Sequence, residues 1–217
     1  MKTLTTLIAS LVLFASGFAN GLSEEKLILK KDGSGGKCFD ENTHIINVGV
    51  GFGSVRYYKG VGGSYRSTPA FSVSYEQPWK DRLGPGYLGV GGYVGFQTAH
   101  YKNTYTSVYD WNTYYYEHNW TSLMLAGRAA YHWDVLNSEK AEVYAGVIIG
   151  ARMSIYNYET NDPRPENKNA YKVANSFAYP AYSLFAGARW YFAKNVGVYG
   201  EVGYGISYIT GGLSFKF

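Results

Sequence analysis

The sequence predicts an all-β fold: a single antiparallel up-and-down transmembrane β-barrel of about eight strands, with both termini periplasmic. Three observations carry this. Eight separate stretches alternate apolar with small or polar residues at a period of two, which places successive side chains on opposite faces of a sheet. The links between them alternate between compact turns and longer loops, the asymmetry of a membrane barrel. After the first residues no uncharged apolar run reaches 18, so helical membrane spans are excluded.

Residues 1–19 read as a cleaved signal peptide: Lys2, an uncharged stretch from Thr3 to Ala15, then the small-residue site around Ser16-Gly17-Phe18-Ala19. Residues 20–41 are charged, Gly-rich and aperiodic, and are expected to form a flexible periplasmic lead-in. Cys38, the one cysteine, lies in that segment without metal-ligand neighbours and reads as a bystander or the site of an intermolecular bond. Residues 42–217 are assigned to the barrel.

The first strand sets Ile46, Val48, Val50 and Phe52 against Asn47, Gly49, Gly51 and Gly53, and the second sets Phe71, Val73 and Tyr75 against Ala70, Ser72, Ser74 and Glu76. The third alternates Leu88, Val90, Val94 and Phe96 with Gly89, Gly91, Tyr93, Gly95 and Gln97; the fourth sets Leu123, Leu125, Ala129 and Tyr131 opposite Ser122, Arg128 and His132. In the fifth, Val143 to Ile155 form an unbroken apolar row. The sixth carries Tyr182, Leu184, Ala186, Ala188, Trp190 and Phe192, the seventh Val196, Val198, Val202, Tyr204 and Ile206, and the eighth Ile209, Leu213, Phe215 and Phe217. Compact turns are expected at 77–85, 134–140 and 193–195, and longer loops at 59–67, 101–119 and 158–178.

The apolar rows are assigned to lipid, because the opposite rows are rich in Gly and would make a poor water-facing surface. A narrow lumen filled by side chains of mixed size suits them. Glu76, Arg128, Glu142, Arg152, Arg189, Glu201 and Lys216 share the inner parity and are expected to pair into a charge network, since an isolated charge in a dry lumen is costly. Arg189 and Glu201 are placed as diagonal neighbours. That network reads as a salt-bridged plug or as a polar path. Trp120, Tyr131, Trp133, Tyr182, Trp190 and Phe192 stand near strand ends and suit two interfacial aromatic girdles.

The ending Gly211-Gly212-Leu213-Ser214-Phe215-Lys216-Phe217 resembles the C-terminal signal of bacterial outer-membrane barrels, an alternating strand closed by Phe. With the signal peptide and eight alternating segments, residues 42–217 resemble the small outer-membrane β-barrel family of the OmpA transmembrane domain and OmpX type. The resemblance implies export to the outer membrane of a Gram-negative bacterium, contact with its lipids and lipopolysaccharide, and recognition of Leu213, Phe215 and Phe217 by the assembly machinery.

The Lys and Arg residues behind the net charge of +4 are scattered among acids, giving no basic stripe for nucleic acid. No phosphate loop, dinucleotide fingerprint or metal-binding His pair occurs, so no cofactor or metal is expected. Some barrels of this size resemble lipid A-modifying enzymes; His100, His118, Asp110 and Ser122 would be the candidates, but they match no family motif. The expectation is a non-enzymatic barrel with a structural or surface-interaction role, with a narrow channel or hydrophobic-ligand conduit, and a lipid A-modifying enzyme, as alternatives. The Tyr-, Asn- and Thr-rich stretch 101–119 is either a recognition surface for an extracellular ligand or an extension of its two strands.

Overall fold

The computed structural model describes residues 37–53, 63–80, 82–134, 136, 138–164 and 177–217. The signal peptide, and residues 20–36 of the expected lead-in, lie outside these, as do parts of the first and third long loops.

Nine strands form one antiparallel sheet: β1 Ile45–Phe52, β2 Ser64–Ser67, β3 Ala70–Pro78, β4 Gly86–Thr106, β5 Thr113–Trp133, β6 Ala141–Thr160, β7 Phe177–Tyr191, β8 Val196–Gly203 and β9 Ile209–Lys216. From β3 to β9 each strand pairs with the next in sequence, β1 pairs with β3 on one side and β9 on the other, and the sheet closes on itself. The ring has eight staves, because β2 and β3 both lie along β4. Between them the register slips by one: Ser67 faces Ala99, whereas Phe71 faces Phe96. Four residues on one strand thus span three on the other, the count of a β-bulge. It falls at Thr68-Pro69, where proline has no N–H for the ladder and the Thr68 hydroxyl accepts from Thr98 N instead.

Closure removes every sheet edge in the ring and leaves the pleat to sort residues by parity. The outer rows are apolar and uncovered, with Ile149 66%, Leu184 68% and Tyr182 75% exposed. The inner rows bury Glu76, Arg128, His132, Glu142 and Arg189. A water-soluble barrel would invert this arrangement. The apolar band ends near Phe96 on β4 and Leu123 on β5; beyond it both strands continue for about ten residues, ~30 Å of strand at ~3.4 Å per residue.

Four expectations need correction. Stretch 101–119 is not one long loop but two strand ends joined by a six-residue turn, since β4 and β5 stay paired from Gly86↔Trp133 to Thr106↔Thr113. The polar residues there fill the ladder as well as apolar ones do, because outside lipid the outer face has no need to be apolar. Likewise β2 takes residues 64–67 and β6 runs on to Thr160. Ile206 is not on the outer row: β8 ends at Gly203, the chain turns, and Ile206 is buried in the lumen among Met124, Ile148 and Phe185. Finally, Cys38 and Phe39 are buried rather than part of a solvated lead-in.

Candidate functional site in the barrel lumen

Strand β5 supplies the axis of the site, because its even-numbered residues point inward and step through the lumen: His132, Ala130, Arg128, Ala126, Met124 and Ser122. Near the end where β1 begins and β9 ends, His132 meets a carboxyl group on each side of its ring, with Nε2 3.0 Å from Glu76 Oε2 and Nδ1 3.1 Å from Glu142 Oε2. The ring thus bridges the two carboxyl groups, one at each nitrogen. Arg189 donates from Nη1 to Glu142, and its Nη2 lies 3.8 Å from Glu76 Oε1.

One step further along, Arg128 donates from Nε to Glu76 Oε1 at 2.6 Å and from Nη2 to Glu201 Oε1 at 2.5 Å. The Tyr144 hydroxyl donates to the same Glu201 oxygen at 2.9 Å. Arg128 also lies over the Phe185 ring, 3.9 Å from its centroid. Three carboxyl groups, two guanidiniums and one imidazole are thus tied together. Their residues come from β3, β5, β6, β7 and β8, so the bonds run across the lumen and not only between adjacent staves. Gly187 makes room for this crossing: a Cβ there would stand 2.8 Å from both Glu201 Cγ and Tyr144 Cζ.

Of the seven charged residues singled out from parity, five meet here: Glu76, Arg128, Glu142, Arg189 and Glu201. Arg152 lies apart, toward the loop end, where its Nε donates to Ser122 Oγ at 2.6 Å. Lys216 sits at the mouth where β9 ends, donating to the carbonyl oxygens of Cys38 and Glu139 at 3.4 and 3.5 Å. Arg189 and Glu201 do occupy diagonal positions, through the pairs Arg189↔Tyr199 and Gly187↔Glu201, but the Glu201 carboxylate takes Arg128 and Tyr144. His132 and Tyr144 were missed as members of the network. Their signal was parity: each shares a row with a charged residue already chosen, Arg128 and Glu142 respectively.

Beyond the network an apolar layer of Met124, Ile148, Phe185 and Ile206 fills the lumen, and then the inner face turns aromatic. His118 stacks on Trp120 with centroids 5.6 Å apart, and its Nδ1 lies 2.6 Å from the Tyr156 hydroxyl. Trp120 therefore stands on the inner face and is no girdle residue; it shares the parity of Ser122. Tyr131, Trp133, Tyr182, Trp190 and Phe192 stand on the outer rows. Leu213, Phe215 and Phe217 also face outward, and Phe217 exchanges backbone bonds with His44. The enzymatic candidates go to separate partners: His100 Nδ1 to Asn119, His118 to Tyr156, Ser122 to Arg152, and Asp110 to Tyr114. Among the described residues no group of three or more His, Cys, Asp or Glu is arranged to hold a metal ion.

The β4–β5 hairpin is capped by a six-residue turn, closed by Ser107 N to Asn112 O at 2.9 Å and Trp111 N to Ser107 O at 3.0 Å. Trp111 holds φ at 55°, an uncommon conformation for a bulky residue. Val108, Tyr109 and Trp111 are 73%, 86% and 80% exposed. Hydrogen bonds from the Tyr114 hydroxyl first, then from Ser107 and Asn112, hold the Asp110 carboxyl at about 2, below its ordinary range. At the opposite end, burial pushes the Cys38 thiol up to about 12.

No family model matches the sequence, and no curated protein matches it. Among solved structures, the chain is similar to Ail, the attachment invasion locus protein of Yersinia pestis, crystallised with the heparin analogue sucrose octasulfate. Identity there is 11%, coverage 82% of this chain and 99% of that one, and the TM-score 0.38. It is also similar to the N-terminal β-barrel domain of Pseudomonas aeruginosa OprF, with 14% identity, 82% and 98% coverage and a TM-score of 0.39. The outer membrane protein OprG of the same organism gives 11% identity, 86% and 99% coverage and a TM-score of 0.46. The assignment rests on the chain's own geometry: a closed ring of eight staves, apolar outside and charged within, is the fold of the small outer-membrane β-barrels.

Proposed function

We propose that the chain is a non-enzymatic protein of the Gram-negative outer membrane whose lumen is plugged, serving the envelope structurally and presenting a rigid hairpin to surface partners. The observation that carries the plug is the bridge from Glu76 through Arg128 to Glu201, which crosses the lumen with bonds of 2.6 and 2.5 Å. A hydrated ion following this path would have to separate buried, mutually satisfied charges. Both termini and the short turns then face the periplasm, with the long β4–β5 hairpin outside among lipopolysaccharide. Leu213, Phe215 and Phe217 are the residues offered to the assembly machinery, and Tyr131, Trp133, Tyr182, Trp190 and Phe192 contribute to the interfacial girdles.

Planar-bilayer recording tests the plug: the purified barrel should give no steady ion-selective current, and a steady current would establish the channel alternative. For the surface role the carrying observation is the exposed tip formed by Val108, Tyr109 and Trp111. Rigidly held aromatics are favoured contact residues in recognition loops. Trp111→Gly keeps the positive φ at no steric cost while deleting the ring. It should weaken adherence of cells displaying the protein to a surface that binds the native form, and unaltered adherence would count against the tip. Lipid A mass profiles with and without the protein should coincide; a difference lost in His118→Ala would overturn the non-enzymatic reading.

A further inference from the structure

We propose that the segment from Lys37 to Thr43 is a stopper, which closes the mouth at the end where β1 begins and β9 ends by seating Phe39 on the face of the His132 ring. The rings stack with centroids 3.9 Å apart at 8°. Both His132 nitrogens are already committed to Glu76 and Glu142, so the ring face is what remains to be covered. Phe39 covers it while packing with Ile45 and Tyr87, and it is 3% exposed. The seat is shaped for it: a Cβ on Gly89 would lie 3.2 Å from Phe39 Cζ and 2.9 Å from His132 Nε2.

The segment is held from several sides. Lys216 donates to the Cys38 carbonyl, while Lys37 pairs with Asp134 at 3.4 Å and lies over the Tyr87 ring. It also folds on itself, since Asp40 N donates to Thr43 Oγ1 at 3.1 Å, and the Thr43 hydroxyl and Asn42 N both donate to Asp40 Oδ1. Yet it precedes β1 and belongs to no strand. It can leave the mouth without breaking a bond of the ladder, and leaving would open the His132 end of the network to water. Packing that only completed the wall of the barrel would not have that property. The charged plug lies behind the stopper as a second closure in series.

Cys38, 4% exposed and the only cysteine, reports directly on the seal. The exported chain, folded in micelles, is treated with iodoacetamide at pH 8 and the adduct followed by mass spectrometry. Native Cys38 should react at least ~100-fold more slowly than in urea, as expected of a group exposed only by local opening. Phe39→Ala should recover at least ~10-fold of that rate while the unheated protein still migrates as a folded barrel. Should Phe39→Ala fail to fold, the pair Asp40→Ala and Thr43→Ala, which loosens the turn without touching the lumen, should accelerate labelling in the same way. A native thiol labelled at the unfolded rate, or a folded variant as protected as the native chain, would overturn the proposal. It rests on the plugged lumen only for what lies behind the stopper. A Phe39→Ala barrel that labels quickly and conducts would sink the plug and keep the stopper; one that labels slowly and stays closed would do the reverse.

Discussion

Gly187 sets how closely two side chains of the lumen network can meet. A Cβ there would press at 2.8 Å on both Glu201 Cγ and Tyr144 Cζ, the two groups that share a hydrogen bond. Gly187→Val should therefore destabilise the barrel by about 1–3 kcal/mol, the usual cost of overpacking, as read from urea unfolding in micelles. At the far tip, Asp110 gives a test by pH. Its carboxyl titrates near 2 in the folded hairpin against 3.8 ordinarily, so its bonds contribute stability above 3.8 that is lost as pH falls through 2. The Asp110 carboxyl signal in NMR should titrate with a midpoint near 2, and a midpoint near 3.8 would mean that Tyr114 does not hold it.

Parity made most single residues legible along each strand. Charges at Glu76, Arg128, Glu142, Arg189 and Glu201 could be assigned inward from the sequence, but which of them meet depends on depth along the barrel. Depth follows from strand tilt and register, and alternation does not encode either. Arg152 and Lys216 have the right parity and the wrong depth.

At the scale of elements, the β4–β5 hairpin shows where hydrophobic periodicity stops being informative. Within lipid the outer positions Leu88 to Phe96 had to be apolar, and the strand could be read. From Thr98, His100 and Lys102 onward water replaces lipid, the contrast between faces fades, and the stretch resembles a loop although its pairing runs unbroken to Thr106. The extra strand residues 64–67 were hidden for a second reason, because the bulge at Thr68-Pro69 interrupts the period. The outer face also carries Gly200, where an added Cβ meets nothing within 4 Å. Gly200→Ala should raise unfolding stability by about 0.5–1 kcal/mol by removing backbone freedom from the unfolded chain. A loss of stability would show that this face is not open.

For the molecule as a whole, the eight staves and their order followed from counting alternating segments. The stopper did not, because Lys37-Cys38-Phe39-Asp40 has no period and its burial is decided only once the mouth exists to receive it. The central claim is that the lumen is closed by charges bonded across it, and this is a statement about coupling between β5 and β8. A double-mutant cycle on Arg128→Met and Glu201→Gln in the folded barrel measures that coupling directly. Side chains in one buried network interact by about 0.5–3 kcal/mol beyond additivity, and the value expected here lies in the upper half of that range. Two effects that add to within about 0.3–0.5 kcal/mol would show that Arg128 and Glu201 do not meet, and that the lumen is not closed in this way.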